Sequence, residues 1–345
     1  MINMQKKLVV ASSPLLRVTS VSTRRLMGDV VIALLPTALA AVWFCGAPAL
    51  ALILVAVAAA VLSEAVYERL THQKSTIGDL SAVVTGLLVA FNIPANAPWW
   101  MAAIGSILAI VLVKQMFGGL GQNFMNPALA ARTILMLSWT GLMAATAVPA
   151  GGQLFGLAAV EADAVAAATP LVNSNYSLWQ LFIGDVPGML GETCKLTLIL
   201  GGIYLIVRRV IDWRVPVFFI GTSFILFWIE TGVIYSVESG TENALYQLLS
   251  GGLMLGAFFM ATDYVTCPVT KWGRVIMGVG CAALLFIIRT YNGGYPEGCS
   301  FAILFMNVLT PLIDKWTAPK TFGAFKPEKA TKTKMGEANK GGAEA

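Results

Sequence analysis

The reactive side chains of this sequence fall into three groups. The first is DAVAAATPL, residues 163–171, where a row of small residues opens at Asp163 and closes through Ala168 on one hydroxyl, Thr169. Most threonines in a connection are ordinary loop residues, so the run by itself raises the question of why a chain this apolar sets one hydroxyl there. The second group is charges set within or beside apolar runs: Glu64, Asp79, Arg132, Lys195, Glu230, Asp263 and Arg289. Burying a charge costs several kcal/mol unless it is paired, so each is a candidate for function. Each is also a residue type that snorkels to an interface or caps a helix. Arg289 and Lys195 suit an anion, and Asp79 and Asp263 a cation entering at one face. The third group is paired glycines beside aromatics, Phe117-Gly118-Gly119 and Asn292-Gly293-Gly294-Tyr295. They allow close approach to a flat ligand, and equally a tight interhelical turn. Asn126 and Pro127 follow the first pair and suit a helix start, whose N–H groups point toward an acceptor.

What is missing narrows the chemistry further. GxSxG, HExxH and GxxxxGK[ST] are absent. Five cysteines (Cys45, Cys194, Cys267, Cys281, Cys299) form no CxxC pair, and His72 is the only histidine. That leaves no ligand set for a zinc or haem site made by this chain alone. If the chain takes part in catalysis, a bound cofactor is expected to carry the electrons or groups.

The elements that must position these residues are membrane helices. Of 345 residues, 57% are hydrophobic and 12% charged, against about 25% charged in soluble domains. The net charge of +5 sits mostly at the ends and in a few loops, which suits membrane orientation and gives no nucleic-acid patch. Apolar windows predict an all-α protein of ten spans near residues 26–45, 48–68, 78–93, 99–116, 127–145, 193–210, 215–234, 244–262, 273–290 and 300–316. The expected layout is a short amino-terminal segment (1–25) with no cleaved signal peptide, a membrane domain (26–316) and a Lys-rich tail (317–345) that stays solvated or touches anionic lipid. Spans three and eight end at NIP and TDYVTCP, as interrupted helices beside binding sites do.

Basic residues fix the expected orientation. Lys6, Lys7, Arg17, Arg24, Arg25, Arg69, Lys74, Lys114, Arg208, Arg209, Arg214, Lys271, Arg274 and the tail lysines fall on one side. NIPANAPWW, the connection at 146–192 and the acidic SVESGTEN fall on the other. Both ends are therefore expected in the cytoplasm, with DAVAAATPL outside. A weak internal echo adds to this: SAVVTGLLVAFNIPANAP aligns with GGLMLGAFFMATDYVTCP, placing Gly86 over Gly256 and Pro98 over Pro268. Two halves of five spans must be inverted relative to one another, a plan used to move small solutes or ions.

These segments resemble a known family. DAVAAATPL is similar to the flavinylation motif of the D subunit of Rnf-type ion-translocating ferredoxin:NAD oxidoreductases, and of the related B subunit of the sodium-pumping NADH:quinone reductase. Asp163, Ala168 and Thr169 match it, while Ala166 and Ala167 stand where the pattern has Ser/Thr and Gly. SPLLR, FGGLGQNFMNPALAAR, GAFFMATDYVTCPVTKWGR and YNGGYPEGCSFAILFMN also resemble the Rnf protein, over residues 12–326. It is the nearer of the two, because the quinone-reductase protein has a longer amino-terminal extension.

The resemblance implies a component of an ion-translocating oxidoreductase, inactive alone, in the bacterial inner membrane. It implies FMN in phosphoester linkage on Thr169, for whose charge Arg289 or Lys195 would be a counter-ion. It also implies a non-covalent riboflavin, with Gly118, Gly119 and Asn126 as candidates for part of its pocket, and cation uptake at Asp263. The partners implied are the A, B, C, E and G subunits of the Rnf complex and an FMN transferase. Two rivals stay open: a transporter or channel of the same inverted architecture with no redox group, resembling urea channels, and a structural anchor for other redox subunits.

Overall fold

The computed structural model describes residues 22–73, 75–145, 170–171, 176–235, 243–291 and 297–319. Asp163, Ala168, Thr169 and the Asn292–Tyr295 glycine pair lie outside them. Among the described residues the chain is helical, with one isolated bridge between Pro94 and Met189 and no strand.

A helical hairpin opens the chain. In α1 (Thr23–Cys45), the Ser22 side chain accepts a hydrogen bond from the Arg25 N–H and caps the first turn. Gly46, at φ +71, then reverses the chain into α2 (Ala47–Leu70), where Pro48 fits the first turn. Next, α3 (Ser81–Phe91) stops at Asn92, two residues before Pro94, where the chain turns back. After it, α4 (Trp99–Ile107) widens into a π-helical stretch, Leu108–Gln115. Such stretches are rare and often sit at functional sites, because one extra residue per turn redirects the side chains. Here Lys114 and Gln115 become buried.

In α5 (Pro127–Ser138), the Asn126 side chain accepts hydrogen bonds from the Ala128 and Leu129 N–H groups, and Pro127 occupies N1. A break at Trp139 separates it from α6 (Thr140–Ala144). After α7 (Leu178–Ile183), α8 (Lys195–Val207) and α9 (Arg214–Thr231), the expected eighth span is broken once, at 250–252, and then changes helix type. It runs as α10 (Ala244–Leu249), α11 (Leu253–Leu255) and a second π-helical stretch, Gly256–Met260. The cause is local: Gly251 sits at φ +66, which no regular helix accommodates. Finally α12 (Lys271–Tyr291) and α13 (Cys299–Thr317) complete the described helices.

Four helices, α1, α2, α9 and α12, are long and apolar enough to cross a membrane, and shorter apolar helices pack with them. Large aliphatic side chains on their outer surfaces remain exposed, Leu39, Leu54, Leu62 and Ile229 among them. Aromatic residues stand exposed at helix ends: Trp99, Trp228, Trp272, Tyr291 and Trp316. An apolar belt bounded by Trp and Tyr is what a bilayer requires, hydrocarbon against its core and amphipathic rings at its interfaces. The chain is a multi-pass membrane protein.

The two glycines aligned in the sequence both sit at close helix contacts. A Cβ on Gly86 would lie 2.8 Å from the Val57 Cα on α2, and one on Gly256 would lie 2.6 Å from the Cys299 Sγ on α13. This close approach brings the broken helices into the centre of the molecule.

Candidate functional site

Two buried polar clusters lie along the central broken helices. The first surrounds a cavity of about 80 Å³ bounded by Ser81, Thr85, Lys114, Asn123, Asn126, Thr262 and Asp263, with Phe258 and Phe259 as its apolar wall. Both π-helical stretches supply lining residues. The Asp263 carboxylate accepts hydrogen bonds from Thr266, Asn123 and the Val265 N–H. Lys114 donates to Glu64 Oε1 at 2.7 Å and to Ser81 Oγ at 2.6 Å. The same Glu64 oxygen accepts from Gln115 and Thr76, and Thr76 also donates to Glu68. Ser81, through its N–H and hydroxyl, donates to Asp79 at 2.8 and 2.6 Å. Asp263 therefore faces the cavity directly, and Asp79 reaches it through Ser81 and Lys114.

Size decides what this cavity can hold. About 80 Å³ takes a few water molecules or a partly hydrated ion, whereas organic ligands occupy pockets of about 300 Å³ or more. Asn126 is committed to capping α5 and to the Met260 carbonyl, to which it donates at 3.2 Å. A larger groove of about 740 Å³ lies nearby, between α5, α12, α13 and the first π-helical stretch, lined by Met116, Phe117, Phe124 and Met125 and almost wholly apolar. Gly118 and Gly119 turn the chain beside it at φ +110 and +89. Below the cavity, past Tyr264, a vestibule of about 460 Å³ carries Arg209, Asp212 and Arg274. There burial alone would raise the Asp212 carboxyl, but the Arg214 N–H and the Arg274 guanidinium outweigh it and hold the group below the usual carboxylate value.

The second cluster gathers three cations and two carboxylates. Arg132 on α5 donates to Asn92 Oδ1 at 2.9 Å and pairs with Glu192 at 3.4 Å and with Glu297. Lys195, buried at the start of α8, donates to the Glu192 main-chain carbonyl. Arg289 donates to the Gln247 and Ser250 carbonyls at 2.5 and 3.1 Å and stacks over the Phe227 ring. Among the described ion pairs neither Lys195 nor Arg289 has a carboxylate partner. Carbonyl oxygens bring only partial charges, so among the described residues the cluster holds one more positive charge than its carboxylates neutralise.

The Gly251-Gly252 break is what lets these groups meet. A Cβ on Gly251 would lie 3.0 Å from Leu171 Cδ1, 3.1 Å from Arg289 and 3.2 Å from Glu297, and one on Gly252 would lie 2.8 Å from Glu192. Leu171 is two residues beyond Thr169, and the neighbouring Pro170 accepts a hydrogen bond from the Tyr246 hydroxyl at 3.1 Å. Of the charges singled out in the sequence, then, Arg132, Lys195 and Arg289 meet in one cluster, and Glu64, Asp79 and Asp263 in the other. Glu230 lies exposed at the end of α9, in neither. Asn92, Tyr246, Glu192 and Glu297 are new from the structure; the NIP stop at Asn92 was their one trace in the sequence.

Known proteins share this sequence along most of its length. The sequence profile of the NQR2, RnfD, RnfE family matches residues 9–323. The chain belongs to this family. It is 45% identical to the D subunit of the Na⁺-translocating ferredoxin:NAD⁺ oxidoreductase complex of Acetobacterium woodii, over 94% of this chain and 98% of that one. It is 40% identical to the D subunit of the proton-translocating ferredoxin:NAD⁺ oxidoreductase complex of Clostridium ljungdahlii, over 91% and 96%. A third relative, the D subunit of an ion-translocating oxidoreductase complex of Halorhodospira halophila, is 37% identical over 86% and 91%. Family members thus include relatives named for either ion, Na⁺ or H⁺, at nearly full coverage of both chains.

Proposed function

We propose that the chain is the membrane electron-carrying component of an Rnf-type complex, with FMN on Thr169, and that it takes part in coupling electron transfer between ferredoxin and NAD(H) to Na⁺ or H⁺ movement. Family membership and the names of the relatives support the complex. One observation carries the attachment site: the surplus of buried positive charge beside Pro170, the residue after Thr169. A phosphodiester retains a negative charge, which Arg289, and Lys195 behind it, would offset. The bound flavin supplies one- and two-electron chemistry, and the protein supplies position and electrostatics. Asp163, Ala168 and Thr169 form the segment an FMN transferase would read.

In this reading the chain crosses the inner membrane ten times as two inverted five-helix repeats, with both termini cytoplasmic and the 146–192 connection periplasmic. The close contacts at both Gly86 and Gly256 support the duplication. The partners are the A, B, C, E and G subunits and the surrounding lipid. The cavity at Asp263, linked to Asp79, serves the cation, and riboflavin belongs in the larger groove beside Phe117 and Phe124, which has the volume the Asn126 cavity lacks.

The test is direct. Made together with its transferase and run on a denaturing gel, the chain should fluoresce under ultraviolet light and its Thr169→Ala variant should be dark. A dark wild-type band overturns the reading and leaves a transporter or an anchor, which ion flux through the isolated chain would separate.

A further inference from the structure

The turn that joins α8 to α9 carries an arginine where glycine is favoured. Val210 donates its N–H to the Leu205 carbonyl at 2.9 Å and Arg209 donates to that of Ile206 at 3.0 Å, a paired closure that calls for a left-handed residue just past the helix. Arg209 takes that position at φ +57, a conformation strained for any residue with a Cβ. Its exposed side chain lines the vestibule of about 460 Å³. Arg274, also in the lining, donates to the Pro268 carbonyl at 3.1 Å and pairs with Asp212, which pairs in turn with Arg214 at 2.9 Å. One carboxylate is thus shared by two guanidiniums, and among the described ion pairs Arg209 has no partner. Trp213 and Val269, both exposed, give the same vestibule an apolar lip, and the exposed Trp272 follows at the start of α12.

We propose that this vestibule binds the headgroup of an anionic phospholipid, its phosphate held by Arg209 and Arg274 and its glycerol and first acyl carbons against Trp213 and Val269. Strained backbone persists where the residue it carries has a task, and here the strain sets a guanidinium at the mouth of a cavity large enough for a headgroup. Guanidiniums match the geometry of phosphate oxygens, and three of them against Asp212 leave two positive charges for an anion to offset. Exposed Trp beside basic residues at helix ends belongs at the level of lipid headgroups, and basic pockets between membrane helices there collect anionic lipid. A free anion would meet the charge alone, and so would an acidic segment of another protein. The lipid also uses the apolar lip.

The full chain, purified in detergent and stripped of lipid, is titrated with phosphatidylglycerol or phosphatidylcholine, and the bound lipid is counted by native mass spectrometry. The wild type should hold a single phosphatidylglycerol in preference to phosphatidylcholine. Arg209→Gly and Arg274→Gln should each weaken phosphatidylglycerol binding about five-fold, the factor that one basic residue contributes at a membrane surface, and leave phosphatidylcholine unchanged. Arg209→Gly removes the strain together with the charge, so it should unfold no earlier than the wild type, and its loss of lipid then cannot come from misfolding. A wild type without the preference, or an Arg209→Gly chain with wild-type affinity, overturns the proposal. Inorganic phosphate that displaces phosphatidylglycerol at comparable concentration makes this a site for a free anion and overturns it as well. So does an assembled complex that excludes the lipid its free chain binds, since another protein would then cover the vestibule.

Discussion

Replacing Lys114 with methionine removes an ammonium and leaves the Glu64 carboxylate buried with no opposing charge. The pair is 2.7 Å apart with side-chain exposures of 3% and 0%. At an effective dielectric near 20 the Coulomb attraction at that distance is about 6 kcal/mol, and the desolvation of both groups offsets much of it. Losing one partner of such a pair costs about 3–5 kcal/mol. The lower end applies here, because Gln115 and Thr76 still donate to the same Glu64 oxygen. Lys114→Met should thus destabilise the protein by about 3 kcal/mol. The double variant Glu64→Gln with Lys114→Met should lose far less, giving a coupling energy of about 2 kcal/mol. Reversible unfolding in mixed micelles, or the temperature at which half the protein stays monodisperse in detergent, reads this out for the wild type, both single variants and the double. Strictly additive losses would refute the pairing as an energetic unit.

Three further outcomes follow from named contacts. Gly86→Ala should lower stability by about 1–3 kcal/mol, since the new Cβ meets the α2 backbone at 2.8 Å and backbone cannot step aside; unchanged thermal unfolding would show that α2 and α3 are less tightly joined. Asp212, held below the usual carboxylate value in the folded state, adds stability that is present above its unfolded value, about 4, and is lost as pH falls through its lower folded value. Asp212→Asn should flatten the stability curve in that acid window, measured by unfolding at a series of pH values, and an unchanged slope would contradict the assignment. Asp263→Asn should raise the cation concentration needed for half-maximal turnover of the assembled complex while leaving flavin attachment intact on the gel; an unchanged cation dependence would remove Asp263 from the ion's route.

What the sequence disclosed, and what it hid, follows from how far each feature depends on distant residues. The long runs that became α1, α2, α9 and α12 were legible because lipid demands some twenty consecutive apolar residues. The stop of α3 was legible because NIP cannot continue a helix. The two π-helical stretches were not, because their register is set by packing against neighbouring helices rather than by composition. That is why Lys114, which by position belongs with the basic residues flanking the spans, instead turns inward to Glu64. Arg132, Lys195 and Arg289 could each be named as candidates from their unusual setting, but their meeting could not be foreseen. The Arg132 partners Glu192 and Glu297 come from distant parts of the chain and lie against the Gly251-Gly252 break. The Tyr246–Pro170 bond was hidden for the same reason: an ordinary aromatic in an apolar run acquires meaning only from what its hydroxyl touches.

The most direct measurement is the mass of the proteolytic peptide containing residues 163–175, recovered from the native host. Attachment predicts the peptide mass raised by one FMN less one water, with fragmentation placing the addition on Thr169. A peptide of unmodified mass, from a complex that is active in electron transfer, would contradict it.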